Sequence, residues 1–139
     1  MFRTIIFANE GSPAADRALL YVEHLARLEE AEVVVVHAFQ VPSRYGTTDV
    51  YDELHATFEK ASWAVVDDAL EELQKGGVVA RGVVREAASA QAILEIADEV
   101  GASLIVLGTR GTSSAAELLL GSVSTEVLRF ARCPVLAVP

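Results

Sequence analysis

The chain has 139 residues, 52% of them hydrophobic, and its 20 acidic side chains outweigh 11 basic ones to give a formal charge of −9. That length suits one domain with a sizeable core, and the hydrophobic share excludes a disordered chain. An acidic surface repels a phosphate backbone, which argues against DNA or RNA as a partner and leaves solubility as the plain reading of the charge.

In chain order, Met1-Phe2-Arg3 leads straight into Thr4-Ile5-Ile6-Phe7-Ala8, a β-branched run that reads as a strand. No charged start, long apolar stretch or cleavage site of a leader precedes it. Ser12-Pro13 is a helix cap followed by proline at the first helical position. Apolar residues then recur at Ala15, Ala18, Leu19, Val22, Leu25 and Ala26, the three-then-four spacing of one buried helical face. Val33 to Val36 is a second strand. The polar stretch from Val41 to Asp52 is an irregular connection.

A second helix is expected from about Glu53 to Lys75, with Leu54, Phe58, Ala61, Val65, Ala69 and Leu73 on its apolar stripe and Gly76-Gly77 ending it. The run from Val78 to Val84 is interrupted by Arg81 and Gly82 and reads as a strand at a sheet edge. Ala92, Ile93, Ile96, Ala97 and Val100 mark a third helix, stopped by Gly101. Leu104 to Leu107 is a continuously apolar strand. The last helix carries Val123, Val127, Phe130 and Ala131 inward before Pro134 breaks it, and Val135 to Val138 is the final strand.

The order β-α-β-α-β-α-β-α-β predicts right-handed crossovers and an α/β fold with a doubly wound, mainly parallel sheet of five strands and four helices. With no linker, low-complexity tract or repeat, residues 1–139 read as a single domain. The apolar runs are far too short to span a membrane, and the single cysteine, Cys133, leaves no internal disulfide. A cytoplasmic protein is expected.

Ligands of open α/β sheets bind beyond the carboxyl ends of the strands, where strand order reverses. Asn9 to Ser12, His37 to Gln40 and the stretch from Gly108 onward end there. Gly108-Thr109-Arg110-Gly111 follows the fourth strand, and Gly121-Ser122-Val123-Ser124 opens the last helix. Glycines let backbone N–H groups approach an anion, and a helix N-terminus offers unpaired N–H groups with partial positive charge. Ser122 and Ser124 add hydroxyls, and Arg110 is the cation nearby. The spacing G-x2-G-x9-G-[ST] arises by chance in about one such chain in two hundred; without a ligand it reads as turn glycines and a helix start.

Other residues have plainer readings. His24 and His55 read as surface or edge residues, while His37, ending the second strand, is a candidate for a supporting polar role. No histidines have metal-ligand spacing. Cys133 reads as a small buried apolar residue. Ser12 reads as a cap, since no G-x-S-x-G elbow surrounds it.

Over essentially its whole length the chain resembles the universal stress protein family. The resemblance rests on Ile5-Ile6-Phe7-Ala8-Asn9-Glu10-Gly11-Ser12, Val36-His37-Ala38, the glycine pattern, and the ending Arg132-Cys133-Pro134-Val135-Leu136-Ala137-Val138. It implies strand order 3-2-1-4-5 and membership of the ATP-binding branch, which the glycine pattern marks. Gly108 would lie by the ribose, Arg110 and Gly111 by the phosphates, and Gly121, Ser122, Val123 and Ser124 around the α- to γ-phosphates. Ala8 and Ala38 would flank adenine. Glu10 stands where the family usually has aspartate, beside adenine and ribose. The implied cofactor is ATP, ADP or AMP, with Mg²⁺ as a further candidate, and the implied partner is a second copy paired through the C-terminal strand.

Three functions follow: a nucleotide-responsive signalling or stress-resistance module, a weak ATPase or autophosphorylating enzyme, and a nucleotide-free interaction module. No carboxylate pair to hold Mg²⁺ and no placed base is visible, which disfavours the second. The intact glycine pattern disfavours the third. A flavodoxin-type phosphate loop, a response-regulator aspartate cluster and a histidine-glycine adenylyl-transfer motif are each absent from the sequence.

Overall fold

The computed structural model describes residues 1–46, 49–109 and 121–139. Its elements are β1 (Thr4–Ala8), α1 (Pro13–Glu29), β2 (Glu32–Phe39), a 3-10 turn (Ser43–Tyr45), α2 (Asp49–Lys75), β3 (Ala80–Glu86), α3 (Ser89–Val100), β4 (Leu104–Gly108), α4 (Ser122–Phe130) and β5 (Val135–Val138). The strands form one parallel sheet in the order β3-β2-β1-β4-β5. The chain therefore winds outward from β1 to one edge, then returns to β4 beside β1 and finishes at the other edge. Strand order reverses between β1 and β4.

Alternation along each strand sends side chains to opposite faces. Ile5, Phe7, Val33 and Val35 pack beneath α1 and α2 with Ala18, Val22, Val66 and Leu73. Ile6, Val34, Val36, Ile105 and Leu107 pack beneath α3 and α4 with Ile93, Ile96 and Val127. Both faces are covered, which is why the central strands are apolar without interruption.

Three expectations change. Helix α2 begins at Asp49 rather than near Glu53, so the connection before it is shorter. Its buried residues are Ser62, Val66, Ala69 and Leu73, whereas Ala61 is exposed. Gly82 explains that stripe: its bare Cα on β3 leaves the space that Val66, Trp63 and Leu70 occupy. Ser62 tolerates burial because its hydroxyl donates to the Phe58 carbonyl at 2.7 Å. Phe130 is 57% exposed; α4 stops at that residue, and Val127 one turn earlier fills the core position.

Helix α1 starts as its sequence requires. Ser12 is extended and its Oγ accepts from the Ala15 amide at 3.2 Å. The turn before it needs a left-handed residue, and Gly11 supplies it with φ +79°.

Candidate functional site

A cleft opens over the carboxyl ends of β1, β2 and β4, at the point where strand order reverses. Its floor is apolar: Ala8 ends β1, Ala38 lies near the end of β2, Leu107 lies near the end of β4, and Ile93 projects from α3. Glu10 and Asn9 form the rim after β1, and Ser89 forms the rim at the start of α3. Gly121, Ser122, Val123 and Ser124 make the far wall at the start of α4.

That wall differs from the start of α1. Gly121 is extended at the N-cap of α4 and brings no side chain to cap it. The first internal bond of the helix runs from the Thr125 amide to the Gly121 carbonyl at 3.0 Å. The amides of Ser122, Val123 and Ser124 therefore precede any intrahelical acceptor, and such amides attract an anion. Ser122 is exposed, Val123 half-buried and Ser124 buried.

The two described glycines of the pattern are there for different reasons. At Gly108 a β-carbon would lie 2.7 Å from the Ala14 Cβ and 2.8 Å from its carbonyl carbon. This glycine is demanded by α1 packing on β4. At Gly121 a β-carbon would meet only the Thr109 carbonyl oxygen, at an ordinary 3.6 Å, and the backbone is one any residue adopts. Nothing within the described protein requires glycine there. Among the described residues a Cβ there would crowd nothing, and it would stand in the way of a ligand approaching the helix start.

The sequence-derived residues are mostly brought together. Ala8, Glu10, Ala38, Gly108, Gly121, Ser122, Val123 and Ser124 all line the one cleft. Arg110 and Gly111 lie outside the described residues. The Ser124 hydroxyl is not turned to the cleft alone: it donates to the Gly108 carbonyl at 3.2 Å, tying α4 to the end of β4. The Glu10 carboxylate accepts from the Ser12 hydroxyl at 3.0 Å.

Sequence reasoning placed Asn9 and Thr109 in candidate loops without giving either a role, and it missed Ser89 and Ile93. The Asn9-Glu10-Gly11 spelling, in which an Asn side chain bonds the backbone two residues on, could have flagged Asn9; the Asn9 Oδ1 accepts from the Gly11 amide at 3.0 Å. Thr109 is buried and links three elements: its amide donates to the Val138 carbonyl at 2.9 Å, and its carbonyl accepts from the Gly121 amide at 3.3 Å.

Away from the cleft, His55 lies between Glu59 and Glu86 in the second turn of α2, and His24 is exposed on α1. Cys133 is half-buried near the start of β5, where burial first and the Asp98 charge second push its thiol upward, so it stays protonated. Among the described residues no three His, Cys, Asp or Glu side chains gather to hold a metal.

The sequence profile of the universal stress protein family matches residues 1–139. This chain belongs to the universal stress protein family. It is 35% identical to the universal stress protein YxiE of Bacillus subtilis over 147 aligned positions, covering 99% of each chain. It is 37% identical to a universal stress protein of Thermus aquaticus, again covering 99% of each. The structure of MJ0577, a universal stress protein of Methanocaldococcus jannaschii, superposes with a TM-score of 0.88 at 25% identity, covering 99% of this chain and 96% of that one. Two other universal stress proteins were solved with ligands. One, in complex with cAMP, is 28% identical with a TM-score of 0.69, covering 99% of this chain and 97% of its own. The other, from Archaeoglobus fulgidus in complex with dAMP, is 25% identical with a TM-score of 0.71, covering 100% and 98%.

Proposed function

We propose that this universal stress protein binds an adenine nucleotide, ATP or AMP, in the cleft above β1, β2 and β4, and that occupancy sets its state as a signalling or stress-resistance module. The observation that carries the reading is Gly121, a glycine that neither its backbone nor any described neighbour requires, at an uncapped helix start facing an apolar slot. The cAMP and dAMP complexes of two relatives add an adenine ligand to the same fold.

Each residue has a physical task in this reading. Ala8 and Ala38 are small enough to let a flat purine lie on the floor, and the Ala38 backbone offers it hydrogen bonds. Gly108 and Glu10 flank the ribose. The amides of Ser122, Val123 and Ser124 hold the phosphates, with Arg110 and Gly111 joining them from the preceding loop. Gly121 lets the phosphates come within amide distance. In a chain of charge −9, backbone dipoles carry most of that work, because side-chain cations are few. Mg²⁺ would arrive on the nucleotide and supply charge neutralisation there; Glu10 is the carboxylate that lines the described cleft.

The same geometry favours a switch over turnover. Glu10 is engaged by Ser12, and rapid phosphoryl transfer needs a free base and acidic metal ligands. Residues 1–139 act as one domain in this reading, inside the cytoplasm. No described helix is long and apolar enough to cross a membrane. The outer edge of β5, at the end of the sheet, pairs with the same strand of a second copy, which hides its unpaired amides. A sizing experiment returning a monomer at micromolar concentration would remove the dimer.

Calorimetry with ATP, ADP and AMP, with and without Mg²⁺, tests the function. Micromolar or tighter binding of at least one nucleotide is expected, with no γ-phosphate release in the same tube. Absence of binding by all three refutes the reading, and phosphate release abolished by Gly121→Val would establish the weak ATPase instead.

A further inference from the structure

We infer that His37 is a positioning residue for the cleft: its imidazole captures the Asn9 carbonyl and so leaves the Ala38 amide free to read a purine edge. The inference rests on the nucleotide reading above and adds to it His37, which also lines the cleft although it alternates onto the Val35 face of β2.

The backbone of β2 alternates between its two neighbours. The Glu32 amide donates to the Arg3 carbonyl and the Val36 carbonyl accepts from the Asn9 amide, both at 2.9 Å, so even-numbered residues face β1. The Val33 amide donates to the Val79 carbonyl and the Phe39 carbonyl accepts from the Ala87 amide, so odd-numbered residues face β3. Ala38 therefore presents its N–H and C=O toward β1. There β1 has just ended at Ala8.

In a continued parallel ladder the Ala38 amide would donate to the Asn9 carbonyl, the next rung after Asn9 to Val36. That rung is not made. The Asn9 carbonyl is instead 2.6 Å from the His37 Nδ1. His37 shares its sheet face with Val35 and with its β3 partner Val84, both on the α1 and α2 side. Ala38 shares its face with Val36, on the cleft side. The carbonyl is thus drawn to one face, and the Ala38 amide is left at the floor of the cleft, which Ala38 lines.

Two further facts make the arrangement specific. A carbonyl oxygen only accepts, so the His37 Nδ1 must carry the proton. The Asn9 side chain is engaged separately from its carbonyl: the Nδ2 donates to the Val65 carbonyl of α2 at 3.3 Å, and the Oδ1 accepts from the Gly11 amide.

The test is amide hydrogen exchange of Ala38, read by NMR without ligand, joined to calorimetry with adenosine and with inorganic tripolyphosphate. In the wild type the Ala38 amide exchanges fast and becomes protected when adenosine is added. In His37→Leu the Asn9 carbonyl returns to the ladder. The Ala38 amide then slows at least tenfold in the free protein, and adenosine affinity falls about tenfold while tripolyphosphate affinity stays. His37→Asn, whose side-chain amide can donate from a similar place, restores both. An Ala38 amide protected in the free wild type overturns the inference, as does one that stays fast in His37→Leu. Should neither adenosine nor ATP bind the wild type, the nucleotide reading falls, while the exchange result judges the His37 contact by itself.

Discussion

Gly108 on β4 and Ala14 on α1 touch so closely that the glycine's missing side chain is part of the helix–sheet contact: a β-carbon at position 108 would sit 2.7 Å from Ala14 Cβ and 3.0 Å from the Ala14 carbonyl oxygen. Two of the three atoms it would meet are backbone, so relief requires moving the helix. Gly108→Ala is therefore expected to cost about 1–3 kcal/mol, the range for overpacking a close contact, read as a lower urea midpoint with an unchanged slope. Gly121→Ala should cost no more than about 1 kcal/mol, the difference between glycine and alanine as N-caps, yet lower ATP affinity at least about tenfold, since one lost charge-assisted contact is worth about that much. Equal effects of the two substitutions on stability would show that the two glycines share one role.

Ser12 holds two neighbours at once, accepting from the Ala15 amide and donating to Glu10. Its replacement by alanine removes the only side-chain cap of α1, at a cost of about 1 kcal/mol, and releases the Glu10 carboxylate toward the cleft. Chemical denaturation should show the loss, and Ser12→Thr should recover most of it. A Ser12→Ala protein as stable as the wild type would mean that the cap bond is offset by solvation of the free amide.

Tyr51, on α2, donates its phenol proton to Glu86 at the end of β3. That bond first, then burial, then the charges of Glu86 and Asp52 raise its pKa above the ordinary value for tyrosine. A raised folded value means that the folded chain holds the proton more tightly than the unfolded one. The bond's contribution is complete below the unfolded pKa of about 10 and is lost as pH rises through the higher folded value. Tyr51→Phe should accordingly be less stable than wild type near neutrality, with the gap closing at strongly alkaline pH. Denaturation midpoints at about pH 8 and about pH 11 give the comparison; a gap that widens at the higher pH contradicts the assignment.

Much of this architecture was legible because burial repeats with the geometry of each element. The four-residue apolar runs and the spacing of Ala15, Ala18, Val22 and Ala26 are consequences of a two-sided sheet and a 3.6-residue helix, and both were recoverable from residue order alone. The α2 stripe was legible only at Ala69 and Leu73. Ala61 and Ser62 are adjacent, and an apolar count prefers the alanine; the helix turns the serine inward because Val66 seats in the space over Gly82 and because the Ser62 hydroxyl finds the Phe58 carbonyl. Hydrophobicity carries no record of a hole on another strand.

The order of residues by itself determined the alternation of strands and helices, the parallel sheet, the Ser12 cap, and the family, through the glycine spacing and the two strand ends. Tertiary structure alone decided what each polar or small residue serves. It separated Gly108, fitted to Ala14, from Gly121, which no described neighbour requires, and it turned the Asn9 carbonyl toward His37 instead of Ala38. The physical reason is one of range. Periodicity reports the face a residue occupies within its own element, whereas the role of a glycine, or the partner of a carbonyl, depends on atoms brought to within about 3 Å from distant parts of the chain.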